Sequence, residues 1–130
     1  MTSAEKGSKG EHIATVLLQK KGYAILARQY RTRWGEIDII AQKERYLVFV
    51  EVKTRSLGSI AAPREWVNET KRRRLIQTAS LYCMEHPSDL QPRFDVVEVL
   101  LTDGKPLARH IENAFDAGDA FGSAWERGTV

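Results

Sequence analysis

The sequence predicts an α/β domain: a mixed central β-sheet, made of an antiparallel meander plus a parallel strand after a crossover helix, flanked by helices. Three observations carry this. The stretch Gly35–Arg55 reads as two apolar strands around a tight turn. One segment with helical apolar spacing precedes that hairpin and another follows it, each with a helix start or stop signal. A further β-branched run, Arg93–Leu101, comes after the second helix, and a right-handed strand–helix–strand unit leaves its two strands parallel. The length of 130 residues fits one domain with a real core. We expect that domain over residues 1–115, with 116–130 as a tail or short helix.

Taken in order, residues 1 to about 8 are expected to be a mobile start. Glu11–Lys21 forms the first helix, with Ile13, Ala14, Val16, Leu17 and Leu18 apolar and Gly22 as its terminator. Glu11, Ala14 and Leu18 fall at i, i+3 and i+7, so Glu11 points along an apolar side; it suits a site role or the helix dipole equally. Tyr23–Arg31 reads as the first strand. Arg31, Arg33 and Trp34 surround the next turn, a cluster that suits gripping a phosphate and stacking on a base, or a solvated turn with one packed Trp. The hairpin supplies strands two and three, and 56–67 is a loop. Asn68 is the N-cap of a second helix reaching about His86, with Leu75, Ala79 and Tyr82 on its buried side. Lys71, Arg72, Arg73 and Arg74 lie in its first turns, where cations oppose the helix dipole, so helix stability does not explain them; the cluster suits phosphate binding, or a solvated basic face. Arg93–Leu101 is the fourth strand. Leu107–Ile111 is a short edge strand after the Asp103-Gly104 turn.

Composition narrows the function. Met1–Gly10 is polar and no apolar run is long enough for a membrane span, so a cytoplasmic location is the default. The single cysteine, Cys83, excludes an internal disulfide and a cysteine-cluster metal site, and its apolar neighbours mark it as a small buried hydrophobe. Net charge is +3; residues 112–130 hold four acids and one Arg, which is −3, so residues 1–111 carry +6. A basic body suits a polyanion. His12, His86 and His110 form no ligand pattern and are assigned to the surface. Asp95, in the fourth strand, is expected to make a structural hydrogen bond.

The hairpin contains three charges that an apolar strand pair does not explain: Asp38, Glu51 and Lys53. Glu51 and Lys53 are two apart and share a face. A turn centred on Glu44-Arg45 pairs residues whose numbers sum to 89, which sets Asp38 opposite Glu51. Two carboxylates about 5 Å apart repel by roughly 3 kcal/mol at an effective dielectric of about 20. A divalent cation between them removes the conflict, and Mg²⁺ takes one or two carboxylates while keeping several waters.

These residues resemble the PD-(D/E)XK motif of nucleases with the restriction-endonuclease-like fold. More closely, the chain resembles the YraN-like family of small bacterial endonucleases, similar in turn to archaeal Holliday junction resolvases. The resemblance covers roughly residues 9–115 and rests on Gly10-Glu11, Gly22-Tyr23, Arg31, the run from Gly35 to Ala41, the run from Val48 to Arg55, Lys71, the run from Arg93 to Val97, and Asn113-Ala114-Phe115. It departs at Ile37, where the motif has proline, and at Ile60-Ala61, where an aromatic followed by Gly is expected.

The resemblance implies a metal-dependent endonuclease acting on DNA, with branched or flapped structures as its substrates and repair or recombination as its setting. It implies that Asp38, Glu51 and the backbone carbonyl of Val52 bind Mg²⁺ or Mn²⁺, with Glu11 reaching in directly or through water. Lys53 orients or deprotonates the attacking water. Arg31, Arg33, Arg55, Lys71, Arg72, Arg73 and Arg74 are the expected DNA contacts. The resolvase similarity suggests a homodimer, since two symmetric cuts need two sites. Two other readings stay open: a nucleic-acid-binding module without cleavage, and a scaffold whose hairpin charges form a buried ion network.

Overall fold

The computed structural model describes residues 1–56 and 68–115. The expected loop over 56–67, apart from Ser56, and the expected tail over 116–130 lie outside the described residues. The elements run α1 (Ser3–Lys20), β1 (Ala24–Thr32), β2 (Gly35–Lys43), β3 (Tyr46–Ser56), α2 (Glu69–Glu85), β4 (Gln91–Leu101) and β5 (Leu107–Phe115). The five strands form one sheet in the order β1-β2-β3-β4-β5. All neighbours are antiparallel except β3 and β4, which run parallel across the α2 crossover. This is the expected mixed sheet flanked by helices, and it is compatible with a restriction-endonuclease-like fold.

Each helix covers one face. Ala14 and Leu18 of α1 pack with Ile39, Ala41, Val48, Val50, Val97 and Val99. Leu75, Ala79 and Tyr82 of α2 pack on the other side with Ile37, Phe49, Phe94 and Phe115. The caps explain the helix limits. Asn68 accepts from the Lys71 amide at 2.9 Å at the start of α2. At the end of α1, Gly22 takes φ +91° while its amide donates to the Gln19 carbonyl and that of Tyr23 to the Leu18 carbonyl, the Schellman arrangement.

Two expectations are corrected. The chain start is not a mobile segment: α1 begins at Ser3, because Thr2 and Glu5 form a reciprocal capping box. His110 is not a surface residue. Its side chain is 3% exposed, and its Nε2 lies 2.7 Å from Asp95. Asp95 is the centre of a buried network. It accepts a bidentate pair from Arg93 at 3.0 and 2.9 Å and the Asn113 amide at 3.0 Å, where β5 bulges against β4. Burial alone raises a carboxyl, but here the hydrogen bonds from His110, Arg93 and Asn113 prevail and hold Asp95 below the usual range. Asp95 is thus structural, as expected. Cys83 is half-buried, and burial pushes its thiol up to about 11.

The seat of α1 depends on one glycine. A Cβ on Gly10 would come within 1.8 Å of Thr54 Oγ1 and 2.8 Å of its Cβ, so β3 touches the helix backbone there. Thr54 is β-branched and stiff, so it cannot swing aside. At Gly7 a Cβ would meet nothing within 4 Å. Gly10→Ala is therefore expected to lower stability by about 1–3 kcal/mol through overpacking. Gly7→Ala is expected to raise it by up to about 1 kcal/mol through helix propensity. Urea denaturation midpoints measure both, and equal shifts for the two variants would refute the close contact.

Candidate active site

The β2–β3 ladder runs from Lys43↔Tyr46 to Ile39↔Val50, the register in which paired numbers sum to 89. It stops one pair short of Asp38 and Glu51. Beyond that point β2 stays with β1, through Tyr30↔Ile37 and Arg31↔Glu36, while β3 stays with β4 as far as Ser56↔Leu101. The two central strands part at the two carboxylates. Ile37 packs on the α2 side and Ile39 on the α1 side, so the strict alternation is also broken across Asp38. Asp38 takes the place of the lost ladder bond: its Oδ2 accepts the Val52 amide at 2.7 Å. The residue expected to offer a carbonyl to a metal thus also anchors Asp38 through its N–H.

The parting of the strands opens a cleft of about 730 Å³ beneath the first turns of α1, lined by Glu11, Gln29, Arg31, Asp38, Val52 and Lys53, among others. Gly10 lets α1 close onto Thr54, and the next residue, Glu11, is buried as a result. Its Oε2 accepts from Arg28 Nη2 and Gln29 Nε2, both at 3.0 Å. Glu11 therefore belongs to the cleft and does not merely complement the helix dipole.

Glu51 is buried and carries two cations on one oxygen. Its Oε1 lies 2.9 Å from Lys71 Nζ and 3.3 Å from Lys53 Nζ. Asp38 is different. Burial, then the Glu51 carboxylate, then those of Glu11 and Glu36 push it up to about 7, against the lowering effect of the Val52 amide. Burial and the neighbouring Lys71 hold Lys53 below the usual lysine range, despite Glu51. Lys71 is raised, because Glu51 outweighs its burial.

Among the described residues no group of three or more His, Cys, Asp or Glu side chains is arranged to hold a metal ion. The donor chemistry nevertheless fits a hard, largely water-coordinated cation: a buried Glu51 beside a half-buried Asp38 that desolvation and then the Glu51 carboxylate push up.

The expected basic contacts divide into several groups. Lys71 joins the acidic cluster. Arg31 is exposed on the rim of the cleft, 3.4 Å from Glu36. Arg33, Arg73 and Arg74 line a groove of about 560 Å³ between the β1–β2 turn and α2. Arg55 is half-buried on β3. Arg72 is set apart, over the Phe115 ring at 5.7 Å at the end of β5. Arg28 and Gln29 are the site residues that pattern alone does not reveal. Gln29 adopts φ 51°, a conformation no spacing announces.

Fold and cleft together define a mixed-sheet α/β domain with an acidic–lysine cluster where its central strands part. The chain belongs to the uncharacterised protein family UPF0102, the YraN-like group, whose description matches residues 10–99. A UPF0102 protein of Symbiobacterium thermophilum is 49% identical over 88% of this chain and 99% of its own length. Those of Syntrophomonas wolfei and Carboxydothermus hydrogenoformans are 44% and 42% identical, over 85% and 89% of this chain and 97% and 99% of theirs. No helix among the described residues is long and apolar enough to cross a membrane.

Asp38 has a testable effect on stability. Its folded value lies near 7 and its ordinary value near 3.8. The folded state therefore holds a proton that the unfolded chain releases across that window. The stability tied to the protonated carboxyl is fully present below about pH 4 and is lost as pH rises through 7. In EDTA at pH 8, Asp38→Asn is expected to raise the melting temperature by several degrees, on the order of 1–2 kcal/mol, and to flatten the fall between pH 4 and 7. A lower melting temperature for the variant would count against the repulsion.

Proposed function

We propose that this protein is a metal-dependent endonuclease that hydrolyses DNA phosphodiester bonds, with Mg²⁺ or Mn²⁺ held by Asp38 and Glu51. The observation that carries the reading is the half-buried Asp38, pushed up to about 7 beside Glu51, in a cleft that also presents Lys53. The Val52 carbonyl is the further ligand. Glu11 acts directly through its other oxygen or through water, while Arg28 and Gln29 hold its Oε2.

When bound, the metal supplies Lewis acidity toward the phosphate and lowers the pKa of water. The chain supplies the rest. Lys53, held below the usual lysine range, can orient the attacking water and accept its proton at Nζ. Lys71 stays charged beside Glu51 and faces the charge that develops on the phosphate. Arg31, Arg33, Arg73 and Arg74 offer cations to the DNA backbone without reading bases. A branched or flapped substrate, a role in repair or recombination, a cytoplasmic location and a homodimer accompany this reading.

A buried ion network serving only the fold is the competing reading, favoured by the Lys71 and Lys53 contacts to Glu51. Asp38 argues against it. A network made for stability would neutralise both carboxylates, whereas this one leaves Asp38 raised with a single described hydrogen bond.

The test is a cleavage assay over linear, flapped, single-stranded and four-way DNA with Mg²⁺ or Mn²⁺. Cleavage is expected to stop in EDTA and to fall by about 10²–10⁴-fold in Lys53→Ala, with DNA binding retained. Binding with no cleavage of any substrate would favour a non-catalytic module, and full activity in Lys53→Ala would remove that lysine from the mechanism.

A further inference from the structure

The cleft does not stand alone. A second depression of about 390 Å³, lined by Gly35, Glu36, Lys71 and Arg74, shares Glu36 with it. The arginine groove, lined by Arg33, Trp34, Arg73 and Arg74, shares Gly35 and Arg74 with that second depression. Through these shared residues the three depressions adjoin in a track. It starts at Asp38 and Lys53, passes over Gly35 and the first turns of α2, and ends at Trp34.

Trp34 is 41% exposed, and neither hydrophobic cluster includes it. The backbone of its turn is nonetheless held. The Trp34 amide donates to Thr32 Oγ1 at 3.1 Å, and that hydroxyl donates to the Gly35 carbonyl and lies 3.5 Å from Thr78 Oγ1 of α2. Gly35 itself adopts φ +152°. The turn is fastened to the basic helix with its indole left in solvent. Arg33 lies over the ring, 4.7 Å from its centroid. Two acids stand along this path: Glu36, 3.4 Å from Arg31, and Glu69, paired with Arg73 at 3.3 Å, both in exposed contacts that phosphate can displace.

A part-exposed indole on a hydrogen-bonded basic turn can serve as a stacking platform, and stacking selects for the state of the base. Bases within a duplex already have both faces covered, whereas an unpaired base offers its face to an aromatic ring while its phosphates meet the arginines. Resting on the nuclease reading above, we propose that the strand to be cut runs along this track and that an unpaired base stacks on Trp34. The substrate then carries a single-stranded segment next to the scissile bond.

The test measures binding in EDTA, apart from cleavage, with three fluorescently labelled DNAs: a blunt duplex, the same duplex with a single-stranded overhang, and the overhang duplex made abasic in its single-stranded part. Wild type is expected to bind the overhang duplex about 5- to 100-fold more tightly than the other two. Trp34→Ala is expected to abolish that preference and Trp34→Phe to keep most of it, with both variants melting within a few degrees of wild type. Equal binding of the three DNAs by wild type, a preference that survives Trp34→Ala, or no binding to any of them would overturn the proposal. A Trp34-dependent preference without cleavage in Mg²⁺ or Mn²⁺ would defeat the nuclease reading and leave the track standing. Cleavage of blunt duplexes with no overhang preference would do the reverse.

Discussion

The repulsion between Asp38 and Glu51 is the constraint on which the rest of the structure turns. A buried Glu51 and a half-buried Asp38 on adjoining strands oppose the folding of the sheet that carries them. The sheet meets this by parting: the β2–β3 ladder ends at Ile39↔Val50, and Asp38 turns its carboxylate to the Val52 amide. The same departure opens the cleft. A destabilising pair of charges and an accessible cavity thus have one origin.

The surrounding elements serve that point from both faces. The bare backbone at Gly10 lets α1 reach Thr54 and brings Glu11 into the cleft. The crossover between parallel β3 and β4 sets the start of α2 beside the end of β3, which brings Lys71 to Glu51. The cations are unequally shared. Glu51 has two and Asp38 has one described amide, so the deficit of positive charge lies at Asp38. The buried charges around Asp95 show the contrast. There Arg93, His110 and the Asn113 amide satisfy the carboxylate fully, and its pKa falls instead of rising. Buried Asp95 is held charged, while half-buried Asp38 makes no described ion pair.

Much of this was legible in the sequence because it rests on short-range rules. The hairpin register follows from the turn at Glu44-Arg45, and β3–β4 pairing follows from the helix between them. Asp38, Glu51 and Lys53 stood out because charge in a β-branched run is anomalous. The capping box at Thr2 and Glu5 was legible too, but a polar start obscured it. Other features lay beyond periodicity. The left-handed Gln29 that holds Glu11, the separation of Lys71 and Arg72 onto different neighbours, and the burial of His110 against Asp95 all depend on how distant elements meet. Parity set Asp38 squarely opposite Glu51; the ladder ends one pair short of them, at Ile39↔Val50.

The central claim is that this carboxylate pair lacks a cation and is made to receive one. Titration of the Asp38 side-chain carboxyl by carbon-13 NMR, with and without saturating Mg²⁺, tests it most directly. The account predicts an apparent pKa about 7 without metal and a fall of about two units or more when Mg²⁺ binds. A value near that of an ordinary aspartate in both conditions, or a raised value indifferent to Mg²⁺, would contradict it.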